Sequence, residues 1–396
     1  MRNLHGRALV AAMCVGQLGN LLPHVVVPAI MAQHLIPLWK LTATEAGLMA
    51  GAYAFGYMLA VAVLTALTDR IDAGRILIAG SALSGIATAG FGLFADGFVS
   101  AVLFWGLAGV GFAGAYMPGL KALTDRLAAG DVSRSVTLYT SSFSVGVGLS
   151  FLVSQLVADR FGWRAAFVVT GLGPVLMVIV CMMLAPFRPQ PATGHLLDFR
   201  PVFRNRTALG YVLGYGAHCF ELYGMRTWIV PFWTFVAASN AGYVPIGPIA
   251  LGFLFSVISF PASILGNEGA IRYGRHRAIA TVMIASTCIG LAIGATVTAS
   301  PLLLLILILA YGFAIPADSG ALTSGMSASA VPAQRGATMA LHTTVGFGLS
   351  AVGAWAVGVA LDAGGGAASP TGWLTAFAVL AAGSLLGPVA LWWSRK

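Results

Sequence analysis

Apolar runs of about 20 residues, the length a helix needs to cross roughly 30 Å of hydrocarbon, recur from end to end of the chain with short polar breaks between them. Twelve are legible, at 8–32, 44–67, 76–95, 98–120, 136–157, 164–185, 207–236, 246–266, 278–297, 301–319, 337–361 and 372–393. They predict an all-α integral membrane protein with 12 transmembrane helices. The first run follows a basic leader, "MRNLHGR". It is too long for a signal peptide and ends at no small-residue cleavage site, so it is expected to be a retained helix.

The longest interior polar segment, "PFRPQPATGHLLDFRPVFRNR" at 186–206, divides the spans six and six. Its prolines and arginines mark a linker, giving an N-terminal six-helix bundle over 1–185 and a C-terminal one over 207–396. The halves echo each other. "VGVGLS" at 145–150 returns as "VGFGLS" at 345–350, and Gly74-Arg75 after span 2 returns as Gly274-Arg275 after span 8, both two hundred residues on. A shared offset at equivalent places in the topology points to two pseudo-symmetric bundles.

Composition agrees: 58% of the 396 residues are hydrophobic and only 8% are charged. The net charge of +9 is a matter of topology rather than of nucleic-acid binding. With the N-terminus inside, seventeen of the 21 Lys and Arg residues fall in inside segments, and Lys40, Arg160 and Arg164 fall outside. Arg226 alone remains within a span. This bias places both termini in the cytoplasm of a multi-pass protein of the plasma (inner) membrane. Cys14, Cys181, Cys219 and Cys288 lie within spans without paired spacing, so no disulfide framework or zinc site is expected. No P-loop motif is present, so ATP is not the energy source. No cofactor is expected, and the partners are a small-molecule substrate, protons and the lipid bilayer, with the chain a monomer.

The loop sequence "TALTDRIDAGR", its echo "GNEGAIRYGRHR", "GVGFAGAYMPGLKALTDR" through span 4 and "RFGWRAAF" entering span 6 resemble the major facilitator superfamily over essentially the full chain. The family's loop signature is matched by Asp69 and Arg70, with Thr65 at its initial Gly position and two extra residues before Gly74-Arg75. The resemblance implies two packed bundles, a central cavity lined by spans 1, 4, 7 and 10, and a gating latch. Asp69, Arg70 and Arg75 in the first half, with Glu268 and Arg272 in the second, are its candidate residues. The alternative is that they are solvated charges obeying the positive-inside rule. Trp105 stands where many proton-coupled members carry Arg, and span 5 lacks the Gly-Pro of drug antiporters.

An ionisable group at membrane depth costs about 2.5–3.5 kcal/mol or more and is a functional hypothesis by default. Span 7 is richest in them. At about 100° per residue, Tyr211, Tyr215, His218, Glu221 and Arg226 share a wedge of about 140°, which the resemblance turns toward the cavity. His218 and Glu221, three residues apart, are expected to share a proton and to carry proton coupling. Arg226, lacking an adjacent carboxylate and set among Tyr211, Tyr215 and Trp233, suits a substrate anion. The alternative is that other helices satisfy Glu221 and Arg226 and the two merely fix packing. Gln17, Asn20 and His24 share one face of span 1 and Tyr311 lies in span 10, all candidates for substrate contact. Asp318, past a kink expected at Pro316, is a candidate for gating or helix-end duty.

These residues predict a secondary active transporter of a small organic solute, anionic or zwitterionic, working by alternating access with a proton. Competing readings are a proton-driven drug or metabolite efflux pump and a transition-metal transporter using His218, Cys219 and Met225, though Cys219 lies about 100° from His218. From other classes come an intramembrane hydrolase, for which no nucleophile and base are arranged, and a non-transporting membrane receptor. The chain is not expected to be an enzyme.

Overall fold

The computed structural model describes residues 4–127, 132–189, 199–331 and 334–395. Residues 190–198 of the expected linker, and Arg2 and Lys396 among the inside charges, lie outside them. Every predicted apolar stretch is helical, and no strand occurs among the described residues. Among the described residues ten helices are long and apolar enough to cross a membrane, or eleven if the sharply bent pair Gly6–Leu21 and Val26–Trp39 is one span. The expected twelve is not reached on that criterion because of Arg206–Ser239. That helix runs 34 residues, about 51 Å, but polar residues along its middle lower its hydropathy.

The helices sort into two compact units, 1–26 with 55–198 and 27–54 with 199–396. The second therefore contains 27–54, a segment that division at the linker assigns to the first half. Ala43–Leu67 supplies its leading residues to the second unit and the remainder to the first.

In the first unit, proline sets the breaks. Pro23 interrupts the first span and Pro174 separates Trp163–Leu172 from Val175–Met182. A broken helix frees backbone groups that hydrocarbon cannot hydrogen-bond. At the first break Ser150, from the helix Val132–Phe161, meets that need: its Oγ donates to the Leu22 carbonyl at 2.6 Å and accepts from the Val25 N–H at 3.2 Å. Ser150 closes the first copy of the echoed motif. Gly146 of the same copy lets the helix lie against Leu21, whose Cδ1 would be 2.6 Å from an added methyl. In the second unit, Gly346 takes the corresponding place against the Tyr215 ring, leaving no room for a Cβ. The echo thus specifies a repeated packing of small residues on a neighbouring helix. Near the other end of the first unit, Phe91 and Phe167 stack at 3.9 Å with Trp105 edge-on to both.

In the second unit, the start of Ala43–Leu67 is held twice. Thr42 and Glu45 form a reciprocal capping box, with Thr42 N–H to Glu45 Oε2 at 2.9 Å and Glu45 N–H to Thr42 Oγ1 at 3.1 Å. Asp362, at the end of Arg335–Ala363, accepts from the Ala43 and Thr44 N–H groups at 3.0 and 2.8 Å and from Thr44 Oγ1 at 2.6 Å. Gly47 and Gly51 let the same two helices approach at Ala354 and Ala351.

The loop after Ala43–Leu67 pairs its charges differently from the expected latch. Asp69, Arg70 and Arg75 are exposed, as are Glu268 and Arg272, and none of them joins an ion pair among the described residues. Asp69 and Arg70 fall in the turn, whereas Asp72 is the N-cap of Ala73–Phe94 and accepts from Gly74 N–H at 2.9 Å. Arg126 Nη2 donates to both Asp72 oxygens at 2.8 and 2.9 Å, and Phe187 N–H adds a fourth bond at 3.0 Å. Arg126 Nε in turn donates to the Ala185 carbonyl at 2.7 Å, so one carboxylate ties together three chain segments. Burial pushes the Asp72 pKa up, but the Arg126 guanidinium and the two backbone N–H groups outweigh it and hold the carboxyl below its ordinary value.

Asp72→Asn is accordingly expected to lower stability by about 2 kcal/mol, the scale of hydrogen bonds to a charged group. Because the folded pKa is depressed, this stabilisation is present above the ordinary carboxylate pKa and is lost as pH falls through the folded one. Thermal unfolding in detergent should therefore show a gap between wild type and variant at neutral pH that closes in acid. A gap that persists would mean that packing, not charge, was lost.

Candidate functional site

The helix Arg206–Ser239 is capped by Asn205, whose Oδ1 accepts from Ala208 N–H at 3.1 Å and whose Nδ2 donates to the Ser329 carbonyl at 2.8 Å. Its middle carries His218, Glu221 and Arg226 at 3%, 2% and 4% exposure. Burial this complete demands partners, and neighbouring helices of the second unit supply them to Glu221 and His218 in two separate groups.

Glu221 is enclosed by hydroxyls. Tyr311 OH donates to Oε1 at 2.9 Å, while Ser384 Oγ and Ser286 Oγ donate to Oε2 at 2.8 and 3.1 Å. These come from Pro301–Ala314, Pro370–Trp393 and Arg275–Ala295. Tyr311, a sequence candidate for substrate contact, is thus committed to Glu221. His218 pairs elsewhere: its Nδ1 lies 2.6 Å from Asp318 Oδ1, within ion-pair distance. The interruption expected at Pro316 is a 3-10 turn, Ile315–Asp318, and it delivers Asp318 to the histidine. The two groups expected to share a proton therefore have different partners, because side chains three residues apart lie at different heights and meet different helices. Asp318, read from sequence as a helix-end or gating residue, is 2% exposed and belongs to this cluster.

Tyr215 stacks between two imidazoles, 3.9 Å from His342 and 5.6 Å from His218 between ring centres. Tyr211 lies a turn away, its OH 3.4 Å from His276 Nδ1. Arg226 lies over the Tyr223 ring at 5.0 Å. Its Nε and Nη1 have no hydrogen-bond partner among the described residues. Trp233 does not join it: the indole N–H donates to the Ile246 carbonyl at 2.7 Å, fastening the far end of the helix to the following loop. Cys219 is buried beside Gly346, and no group of three metal-ligating side chains occurs among the described residues.

The first unit holds the other candidates. Gln17 Oε1 accepts from Tyr139 OH at 2.8 Å, leaving its Nε2 without a partner among the described residues. Neither Nδ2 nor Oδ1 of Asn20 has one, although the residue is 1% exposed. His24, at the helix break, has its ring 5.1 Å from Phe112 and 5.2 Å from Phe143. These buried amides are suited to hydrogen-bond a polar ligand or water.

Sequence reasoning missed Ser286 and Ser384, common residues on otherwise apolar helices. It also missed Asp72, Arg126 and Asp362, whose signal was their position at helix ends.

Among solved structures, the fold resembles a bacterial homologue of the human lysosomal transporter Spinster in an inward-facing, unoccupied conformation. The TM-score is 0.73 at 16% identity, covering 98% of this chain and 94% of that one. It resembles a point mutant of the nucleoside transporter NupG equally, at 0.73 and 16%, covering 98% of this chain and 100% of the other. The sequence profile of the Major Facilitator Superfamily matches residues 9–354. With that match spanning most of its length, the chain belongs to the Major Facilitator Superfamily, a family of membrane transporters.

Proposed function

We propose that the protein is a secondary active transporter of a small organic anion or zwitterion, driven by protons and working by alternating access. In this reading Arg206–Ser239 also spans the membrane, completing a count of twelve, and the two bundles carry six spans each. The termini are cytoplasmic and the protein is a monomer of the plasma (inner) membrane. The observation that carries the substrate class is Arg226: a guanidinium almost wholly buried, its face on an aromatic ring and two nitrogens without partners among the described residues. An arginine so placed binds a carboxylate or other oxyanion with charge-assisted hydrogen bonds. Within the first unit, Nε2 of Gln17 and the amide of Asn20, without partners among the described residues, are the candidates for polar contact with the solute.

Proton handling is assigned to Glu221 and to His218 with Asp318. Hydroxyls both donate and accept, so the cage of Tyr311, Ser286 and Ser384 serves the ionised and the protonated carboxyl alike. The imidazole and Asp318 form a neutral pair when the histidine carries a proton, and binding or releasing that proton changes the buried charge by one. Asp72 with Arg126, and Asp362 at the start of Ala43–Leu67, are the candidates for holding one conformation of the cycle.

Uptake by proteoliposomes across a panel of carboxylates, amino acids and nucleosides tests this directly. Glu221→Gln should abolish accumulation driven by a pH gradient while sparing counterflow; an unchanged gradient dependence sinks the proton assignment. Arg226→Ala should weaken the apparent affinity for an anionic substrate about 10- to 100-fold, the loss of hydrogen bonds to a charged group worth about 1.5–3 kcal/mol. It should leave any uncharged substrate nearly unaffected, and equal losses for both would remove the anion reading. For the buried pair, a double-mutant cycle of His218→Ala and Asp318→Asn read by thermal unfolding should give a coupling of about 1–3 kcal/mol. Simple additivity would show that the two side chains do not act together.

A further inference from the structure

The side of Arg206–Ser239 away from the charged cluster borders an apolar groove of about 600 Å³ between this helix, Arg335–Ala363 and Pro370–Trp393. Its floor is made of small or flat residues, Ala217, Phe220, Gly383 and Ala390, with Leu349 on one wall and Trp393 at one end. None of its lining side chains is charged. From Gly383 to Trp393 it runs ten residues along one helix, about 15 Å, which is the depth of one leaflet of a hydrocarbon core about 30 Å thick. The deep end, at Phe220, is level with Glu221 on the same helix. The shallow end carries a cation. Arg206 lies with its guanidinium 4.6 Å from the centre of the Trp393 ring, is exposed, and pairs with no carboxylate among the described residues.

Three independent features coincide here: an apolar channel of leaflet depth, a tryptophan at its mouth where such rings sit at a membrane interface, and an arginine fixed on that ring. A guanidinium that gives its face to an indole keeps its N–H edge for an oxyanion. A second protein surface would need a carboxylate placed opposite Arg206, whereas a phospholipid brings both the chain and the phosphate in one molecule. We propose that the groove is a binding site for one anionic phospholipid, an acyl chain lying along Ala217, Gly383 and Ala390 and the headgroup phosphate on Arg206. The lipid packs the back of the helix whose other side carries His218, Glu221 and Arg226. The site does not depend on what that side transports.

Native mass spectrometry of the full chain in detergent, with phosphatidylglycerol or phosphatidylcholine added, tests the proposal. Wild type should retain one phosphatidylglycerol with an about five-fold preference over phosphatidylcholine, the contribution of one interfacial arginine toward an anionic lipid. Arg206→Gln should remove the preference, and Ala390→Phe, which fills the groove, should remove the bound lipid. Equal lipid retention by wild type and Ala390→Phe overturns the site. So does a wild-type dimer that Ala390→Phe dissociates, which would put a second copy of the chain in the groove. A measurement without variants guards against misfolding: phosphatidylglycerol brominated at mid-chain should quench the tryptophan emission of wild type. Unbrominated phosphatidylglycerol should relieve the quenching about five-fold more effectively than phosphatidylcholine; equal relief by both overturns the assignment.

Discussion

Hydrocarbon offers no hydrogen bonds, so a polar group at membrane depth that lacks a partner costs several kcal/mol, and the irregular features of this chain are organised around that cost. Where Pro23 breaks the first span, Ser150 from another helix accepts from one freed backbone group and donates to the other. Where the segment after Pro301–Ala314 tightens into a 3-10 turn, it brings a carboxylate to the buried imidazole of His218. Glu221 draws hydroxyls from three helices. Against this background the exceptions are informative. Among them, Arg226 and Asn20 are as buried as Glu221 and keep polar atoms without hydrogen-bond partners among the described residues, which is the basis of their proposed binding roles.

The periodic part of the structure is legible in the sequence. Hydropathy located each helical stretch, and the two-hundred-residue echo marked packing that recurs, Gly146 on Leu21 and Gly346 on Tyr215. Side-chain partnership was not legible, for a physical reason. Helical geometry states which residues of one helix share a face, and so grouped His218 with Glu221. Which residues of other helices arrive at that face depends on tilt, register and breaks that no single segment encodes. Asp318, the last residue of a 3-10 turn on another helix, meets His218. Trp233, two turns from Arg226 and on the same face, was taken by the Ile246 carbonyl.

Charges at helix ends show the same limit. The family signature drew attention to Asp69 and Arg70, yet the carboxylate that gathers four hydrogen bonds is Asp72. A signature names residue types at a spacing, whereas the N-cap of the next helix here is Asp72. The cap position, not the signature position, decides which carboxylate meets the free N–H groups of the next helix.

On the proposed assignment of proton handling to Glu221 and His218, the arrangement around Arg206–Ser239 also links protonation to helix position. Tyr311 and Asp318 lie on either side of the break at Pro316, one supplying a hydroxyl to Glu221 and the other a carboxylate to His218. A displacement of that broken segment relative to Arg206–Ser239 would withdraw a partner from both titratable groups at once. On that assignment each group's affinity for a proton depends on its partners, so by reciprocity a proton bound at either site would bias the position of the segment. Two groups that do not touch would then be coupled through one helical segment. The break at Pro316 is what allows a single segment to reach both, since it sets the course of the backbone between Tyr311 and Asp318.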